Sequence, residues 1–328
     1  MRPPVALSIA GTDPSGGAGI HADLKTFTAL GVYGTTVITA LIAQNTHGVS
    51  RVYGIDEDFV ADQLAAVFDD LPVDAAKTGM LGTRGLVELI SAELRSRRPG
   101  RLVVDPVMVA TSGHRLLDAD AVDAVRTELM PLADVITPNL PEAALLLGDD
   151  VPAARTPEQM RAQARELLAR GARAVLLKGG HLDSGELIDI LAQGTDSGPE
   201  FLEFTHPRRD TPHTHGTGCT LAAAVTAGLA AARRADPAEP LGEHLPGVVE
   251  TALDYLGRAI ASGADWELAL DPEGSHGPVD HLVDIGIAGG RGTASTGTGN
   301  RPPEGAASTP STAAPRAAEP AADQEASA

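Results

Sequence analysis

The sequence predicts an α/β fold with one central, mainly parallel sheet and helices on both faces. Three observations predict it. Short apolar, β-branched runs alternate with amphipathic segments through about eight units, as expected of strands joined by crossover helices. No internal repeat of fixed period accompanies that alternation. Polar or glycine-rich clusters follow the apolar runs, and in a parallel sheet such strand ends emerge on one edge, where ligands bind.

Val5 to Ala10 reads as a buried strand. It leads into Gly11-Thr12-Asp13-Pro14-Ser15-Gly16-Gly17-Ala18-Gly19, with four glycines in nine residues, and then into a helical pattern from Ile20 to Leu30. The loop fits neither Gly-x-Gly-x-x-Gly nor a Walker motif, so it points to close backbone approach to a small ligand. Thr35 to Ile42 is expected to form one strand, ending in the polar cluster Ala43 to Gly48. Gln44 carries an acceptor and two donors there. That suits a heterocycle with an amino group beside a ring nitrogen, and equally suits a turn-capping amide.

Asp56 to Leu71 reads as an amphipathic helix, Val73 to Lys77 as a short strand leading to Thr78-Gly79-Met80-Leu81-Gly82, and Thr83 to Arg97 as a helix. Arg101 to Val104 is a buried strand ending in Asp105-Pro106-Val107-Met108, which places Asp105 at the ligand-binding edge. A helix is expected from Asp118 to Leu132 and a strand at Asp134 to Ile136. Asn139 and Glu142 follow, three apart, with Pro141 suited to a first helical turn. Such a pair can hold a hydrated Mg²⁺ or simply cap the helix. Thr156-Pro157-Glu158-Gln159 opens a helix to about Arg170, and Arg173 to Leu177 is a strand ending in Lys178-Gly179-Gly180-His181, with a lysine poised for phosphate oxygens. Leu187 to Leu191 and Phe201 to Phe204 read as an antiparallel pair near the sheet edge, and Val248 to Ala261 as the last clear helix.

His213-Thr214-His215-Gly216-Thr217-Gly218-Cys219-Thr220 carries the single cysteine and runs into an Ala-rich helix, Leu221 to Ala232. A glycine turn opening a helix aims free N–H groups and the positive end of the helix dipole at one point, a place for an anion or for charge developing in a transition state.

From Ile285 to Ala328 the chain is Gly, Ala, Thr, Ser and Pro with scattered charges, a composition expected to be disordered, so that residues 1–284 form one α/β domain and 285–328 a low-complexity tail. The tail holds three arginines against four acids, and the body therefore carries −19 − (−1) = −18. Such acidity argues against nucleic acid or an anionic membrane as partner. One cysteine excludes an internal disulfide framework. No apolar run approaches a membrane span or a signal peptide, so the expected location is the cytoplasm.

Collected on one edge, these clusters offer a metal pair, a phosphate lysine, an N–H anion hole and a pocket for a small polar ring, the parts that phosphoryl transfer requires. The first glycine loop with Ala22 to Thr26, Val37 to Leu41 with Ala43 to Thr46, Gly79-Met80-Leu81 and Asp105 to Met108 resemble the hydroxymethylpyrimidine/phosphomethylpyrimidine kinases of thiamin biosynthesis, within the ribokinase-like superfamily. Thr137 to Ala143, Lys178 to His181, His213 to Cys219 and His276 to Val279 continue the resemblance, which covers about residues 5 to 282. It implies a ribokinase-like fold, use of ATP and Mg²⁺, and phosphorylation of 4-amino-5-hydroxymethyl-2-methylpyrimidine to its monophosphate and then to the diphosphate. It also implies that Gln44 pairs with the aminopyrimidine, and that Gly11, Asp23, Met80 and Val107 line its pocket. By the same resemblance Asn139 and Glu142 organise Mg²⁺ with help from Asp105. Lys178 meets the transferring phosphate, Asn139 and Thr217 serve the nucleotide, and the Gly216 to Cys219 N–H groups stabilise charge, with Gly218 among them. Cys219 stands where sugar kinases of the superfamily have an aspartate base. A thiol lowered from about 8.5 by a helix N-terminus would take a hydroxyl proton in the first transfer. His21 departs from the family pattern, which has Gln there. A homodimer is a further implication.

Three other readings compete. A pyridoxal kinase on the same fold would also phosphorylate a hydroxymethyl group on a nitrogen heteroaromatic ring. A thiol hydrolase would pair Cys219 with His213 or His215, leaving Lys178 and the Asn139/Glu142 pair unexplained. A ligand-binding regulator would keep the fold without turnover.

Overall fold

The computed structural model describes residues 2–108, 116–180, 186–238 and 240–285. The expected tail, apart from Ile285, and His181 lie outside the described residues. The elements in chain order are β1 (Val5–Ala10), α1 (Gly19–Ala29), β2 (Tyr33–Ile38), β3 (Ala40–Asn45), β4 (Gly48–Gly54), α2 (Glu57–Asp70), β5 (Ala75–Thr78), α3 (Arg84–Ser96) and β6 (Leu102–Val104). They continue with α4 (Ala121–Ala124), β7 (Val135–Ile136), α5 (Leu140–Leu147), α6 (Pro157–Ala169), β8 (Ala174–Leu177), β9 (Glu186–Thr195), β10 (Gly198–Pro207), α7 (Thr217–Ala235) and α8 (Leu241–Gly263).

Eight strands form the main sheet in the order β10-β9-β8-β7-β6-β5-β1-β2. The pairings from β8 through to β2 are parallel, and β9 and β10 add an antiparallel edge. Strand periodicity divides the core between two faces. Leu7, Ile9, Val104, Val175 and Leu177 pack with α2 to α6 on one side. Ala6, Val103, Ala174 and Leu176 pack with α7 and α8 on the other. Both faces are covered, which is why the parallel strands read as continuous apolar runs.

The expected strand over 35–42 is two strands in two sheets. The chain turns at Thr39, whose N–H donates to Ala10 O and whose hydroxyl donates to Met80 O. β3 then leaves the main sheet and pairs with β4 as a separate antiparallel hairpin, turning at Thr46-His47. β4 is exposed along most of its length, so it shows no alternation of buried and exposed residues from which a strand could be read. The helix expected over 118–132 is broken into α4, a π turn at Val125–Leu129 and a 3-10 turn at Met130–Leu132. Pro131 lies in that last turn and has no N–H to continue an α-helical ladder. The remaining expected elements form within a few residues of their read boundaries, and α7, α8, β9 and β10 run longer. Among the described residues no helix is long and apolar enough to cross a membrane.

Candidate active site

A cavity of about 1440 Å³ opens along the carboxyl edge of the sheet. Of the residues singled out above, Gly11, Gln44, Met80, Asp105, Val107, Asn139, Glu142, Lys178, Gly216, Thr217, Gly218 and Cys219 all line it. Strand β1 delivers the first glycine loop to its floor. Gly19 holds a positive φ of +54°, and a Cβ there would lie 2.3 Å from Gly11 O, so the loop closes on itself only with glycine. The hairpin β3–β4 arches back over this loop, tied by Thr12 N–H to Ala40 O at 3.0 Å and by Ile42 N–H to Thr12 Oγ1 at 2.9 Å. Gln44 therefore reaches the cavity from the hairpin and not from the end of a main-sheet strand. Ala40, Ile42 and Met80 form a small apolar cluster with Val107 and Leu116 against it, a wall for a flat ring.

Asp13 organises the loop. It is 1% exposed and accepts from Ser15 N–H at 2.8 Å, Ser15 Oγ at 2.6 Å, Gly17 N–H at 3.1 Å and Ala18 N–H at 2.7 Å. His215 Nε2 lies 2.8 Å from its Oδ2. Burial alone would raise the Asp13 pKa, but the bonds from His215 and Ser15 outweigh it and hold the carboxyl far below its ordinary value. His21 Nδ1 accepts from Asp13 N–H at 3.0 Å, so the residue that departs from the family pattern also fastens this loop.

The anion hole stands where the glycine turn meets α7. Gly216 is the N-cap with φ 79°, and a Cβ on it would lie 1.8 Å from Gly17 O. The two glycine loops are thus pressed together with no room for a side chain. The first N–H groups of α7 have no acceptor within the helix. A Cβ on Gly218 would sit 3.4 Å from Lys178 Nζ and 3.9 Å from Asp105 Oδ2, so the lysine and the aspartate lie directly across the helix start. Asp105 is fixed by Lys178 Nζ at 3.1 Å and by Thr137 Oγ1 at 3.0 Å. A bridge between Asn139 and Lys178 extends the β7–β8 pairing and brings the amide beside the lysine. Burial alone would lower the Lys178 pKa, yet Asp105 and Glu142 raise it, which keeps the ammonium charged.

Asn139 and Glu142 make a complete capping box for α5. Asn139 Oδ1 accepts from Glu142 N–H at 2.9 Å, and Glu142 Oε2 accepts from Asn139 N–H at 2.8 Å. The cap and the site are therefore the same residues. Burial pushes the Glu142 carboxyl up to about 7, against the pull of Lys178 and with a further push from Asp105. Two buried carboxylates that repel one another beside a lysine are short of positive charge. A hydrated Mg²⁺, which needs only one or two carboxylates besides phosphate and water, fits that donor set. Among the described residues no cluster of three or more acidic, His or Cys side chains could hold a metal by itself.

Two expectations need correction. Asp23 does not line the cavity. It is 0% exposed beneath the floor, paired with Lys77 Nζ at 2.9 Å and accepting from the Ser8 hydroxyl. Its carboxylate has no route to water, and the buried Lys77 on β5 is its partner. The Cys219 thiol is not lowered by the helix start. Burial pushes it up to about 11, against the charge of Lys77. Neither histidine of the octapeptide serves it. His215 is engaged with Asp13, and His213 Nδ1 accepts from Gly277 N–H at 3.0 Å. That geometry removes the dyad a thiol hydrolase requires.

The reading of the residues missed Asp13 as a hub, and the Lys77–Asp23 pair. An Asx turn in Asp13-Pro14-Ser15 was the available signal for the first. No signal marked the second, because a lysine in a short apolar strand looks like a strand end.

The family model for phosphomethylpyrimidine kinase matches residues 13–280. A hydroxymethylpyrimidine/phosphomethylpyrimidine kinase of Salmonella typhimurium is 54% identical over 222 residues, 68% of this chain and 81% of the relative. A solved phosphomethylpyrimidine kinase from Clostridium difficile is similar at 38% identity with a TM-score of 0.65, covering 78% of this chain and 99% of the other. An ADP complex of Bacillus subtilis pyridoxal kinase is similar at 37% identity with a TM-score of 0.72, covering 86% and 98%.

Proposed function

This chain belongs to the phosphomethylpyrimidine kinase family of ribokinase-like phosphotransferases, and we propose how its cavity performs the reaction. The enzyme transfers the terminal phosphoryl group of ATP to the hydroxymethyl group of 4-amino-5-hydroxymethyl-2-methylpyrimidine, and then a second group to the monophosphate, in thiamin diphosphate biosynthesis. The observation that carries the residue assignments is the convergence of Lys178, Asp105, Glu142 and the α7 N-terminus within one cavity whose other end is the apolar wall at Gln44.

The pyrimidine lies against Ile42, Met80 and Val107, above the Gly11 backbone, and Gln44 pairs with its amino edge. Lys178 and the N–H groups from Gly216 to Cys219 receive the transferring phosphoryl group, where negative charge spreads over three oxygens. Mg²⁺, when bound with ATP, neutralises phosphate charge. Glu142 and Asp105 would hold it, while Asn139, whose Oδ1 serves the cap, offers its Nδ2 to a phosphate oxygen. The adenine occupies the far lobe of the cavity, between Leu253, Leu256 and Ile260 of α8 and the segment from Arg208 to Thr211.

Cys219 takes the hydroxyl proton in the first transfer. With its thiol at about 11, only roughly one molecule in 10⁴ carries thiolate at pH 7, but a thiolate of that pKa is a correspondingly stronger base. The second transfer starts from an ionised phosphate and needs no such base. Two copies of the chain associate through the apolar side chains exposed on β2 and on the outer face of the β3–β4 hairpin, namely Tyr33, Leu41 and Tyr53; light scattering in solution tests this.

The similarity to a pyridoxal kinase favours a second activity on pyridoxal at the same site. Side-by-side assays with both alcohols test the reading. It expects the aminopyrimidine to have the higher kcat/KM, and the reverse order would refute it.

A further inference from the structure

Thr137 follows β7 directly, is 0% exposed and has no place in the lining of the cavity. Its N–H donates to Val104 O at 3.0 Å, and the Asp105 N–H donates to Thr78 O at 3.1 Å, so two neighbouring strand ends hold these residues side by side. The Thr137 hydroxyl donates to Asp105 Oδ1 at 3.0 Å, and Lys178 Nζ donates to the same oxygen at 3.1 Å. Among the described residues no side chain or N–H donates to Oδ2. That oxygen would lie 3.9 Å from a Cβ on Gly218, in the first turn of α7, whereas Oδ1 lies beyond 4 Å from it. The carboxylate therefore has one engaged oxygen and one open oxygen, and the open one is nearer the helix start that receives the phosphoryl group.

We propose that Thr137 is a positioning residue for the cation site: by donating to Asp105 Oδ1 it fixes the plane of the carboxylate, and so keeps Oδ2 free for the Mg²⁺ that arrives with ATP or for one of its waters. The inference rests on the reading that Asp105 helps to hold that cation. Its physical basis is that a group orienting a metal-binding side chain sets the affinity for the metal without touching it. Lys178 cannot do this alone. Its ammonium rides on a flexible four-carbon stem and is also drawn to the phosphate, whereas the β-branched side chain of threonine has few rotamers and a backbone pinned on the neighbouring strand. Without the hydroxyl, Oδ1 keeps only the lysine and the carboxylate is free to turn.

The test measures Mn²⁺ affinity of the full-length protein with ADP, by the enhancement of water-proton relaxation that marks the slowly tumbling ternary complex, and alongside it the KM for hydroxymethylpyrimidine. The proteins are wild type, Thr137→Val, Thr137→Ser, Asp105→Ala and the Thr137→Val/Asp105→Ala double variant. Valine keeps the shape and removes the donor. Thr137→Val is expected to weaken Mn²⁺ binding by roughly tenfold, with the hydroxymethylpyrimidine KM changed by less than about twofold because the residue does not reach the cavity. Serine keeps the donor and is expected to restore the affinity to within about threefold of wild type. In the Asp105→Ala background the valine is expected to add nothing. An unchanged Mn²⁺ affinity in Thr137→Val, an equal loss with and without the Asp105 carboxylate, or a serine variant as weak as the valine one overturns the proposal while leaving the role of Asp105 intact. An Asp105→Ala protein with unaltered Mn²⁺ affinity overturns both. Should Thr137→Val melt far below wild type, Thr137→Ala, which also lacks the donor, takes its place under the same expectations, and an unchanged affinity there overturns the proposal.

Discussion

Glu142→Gln is expected to make the protein more stable and the enzyme worse. The Glu142 carboxyl is 6% exposed and its pKa is raised from 4.5 to about 7 by burial and Asp105. A raised carboxyl pKa means that the folded state holds its proton more tightly than the unfolded state does. Stability therefore falls as pH rises from about 4.5 to about 7, and the cost is complete above that. The gap from 4.5 to about 7, at about 1.4 kcal/mol per pH unit, amounts to roughly 3 kcal/mol. Glutamine removes this cost but retains an oxygen to accept from Asn139 N–H, so the cap on α5 survives. Lys178 keeps Asp105 as its partner. Melting curves of wild type and variant without ligand should differ little at pH 5. At pH 8 the variant should melt higher by roughly 6 °C. In the same preparation kcat should fall by about two orders of magnitude, because on the proposed reading a carboxylate that would hold the phosphate-bound cation is gone. A variant that is less stable at pH 8, or a difference in melting temperature that does not change with pH, would refute the reasoning.

Cys219→Ser should slow the first transfer by about 10²-fold and the second by only a few-fold, measured in separate single-step assays. In the wild type the thiolate fraction rises toward about 11, so the first-step rate should climb between pH 7 and 9 and the second should not; the serine variant should lose the climb. Gly216→Ala should abolish activity and cost more than about 1 kcal/mol of stability by chemical denaturation. Its Cβ would lie 1.8 Å from Gly17 O at a φ of 79°. Lys77→Met should destabilise by about 3–5 kcal/mol by leaving Asp23 buried and unpaired, and pairing it with Asp23→Leu should recover most of that loss.

Much of the fold was legible because both faces of the sheet are covered. Strands such as Val5–Ala10 and Ala174–Leu177 are buried at every residue, so apolar runs mark them without ambiguity. The β3–β4 hairpin was not legible because its second strand buries nothing. The site residues were legible as clusters at strand ends, since a parallel sheet gathers those ends whatever the connections between them. What a side chain does once there was less so. Asp23 and Gln44 are both polar residues, one near a helix start and the other near a strand end. One turns inward to a lysine that no local pattern pairs with it, and the other reaches the cavity by a fold-back of the chain. Asn139 and Glu142 were readable as a cap or as a metal pair. The structure shows that the cap is real, and the strain on Glu142 comes from burial that spacing does not reveal. The same holds for Cys219, where the helix start suggested a low pKa and burial decides otherwise.

The most direct measurement is ³¹P NMR of the product formed from hydroxymethylpyrimidine, ATP and Mg²⁺ by the full-length protein. A pair of coupled resonances distinct from those of the ADP released in each transfer, appearing after the single resonance of the monophosphate, is the expected result. A spectrum holding only ATP, with pyridoxal phosphorylated under the same conditions, would contradict it.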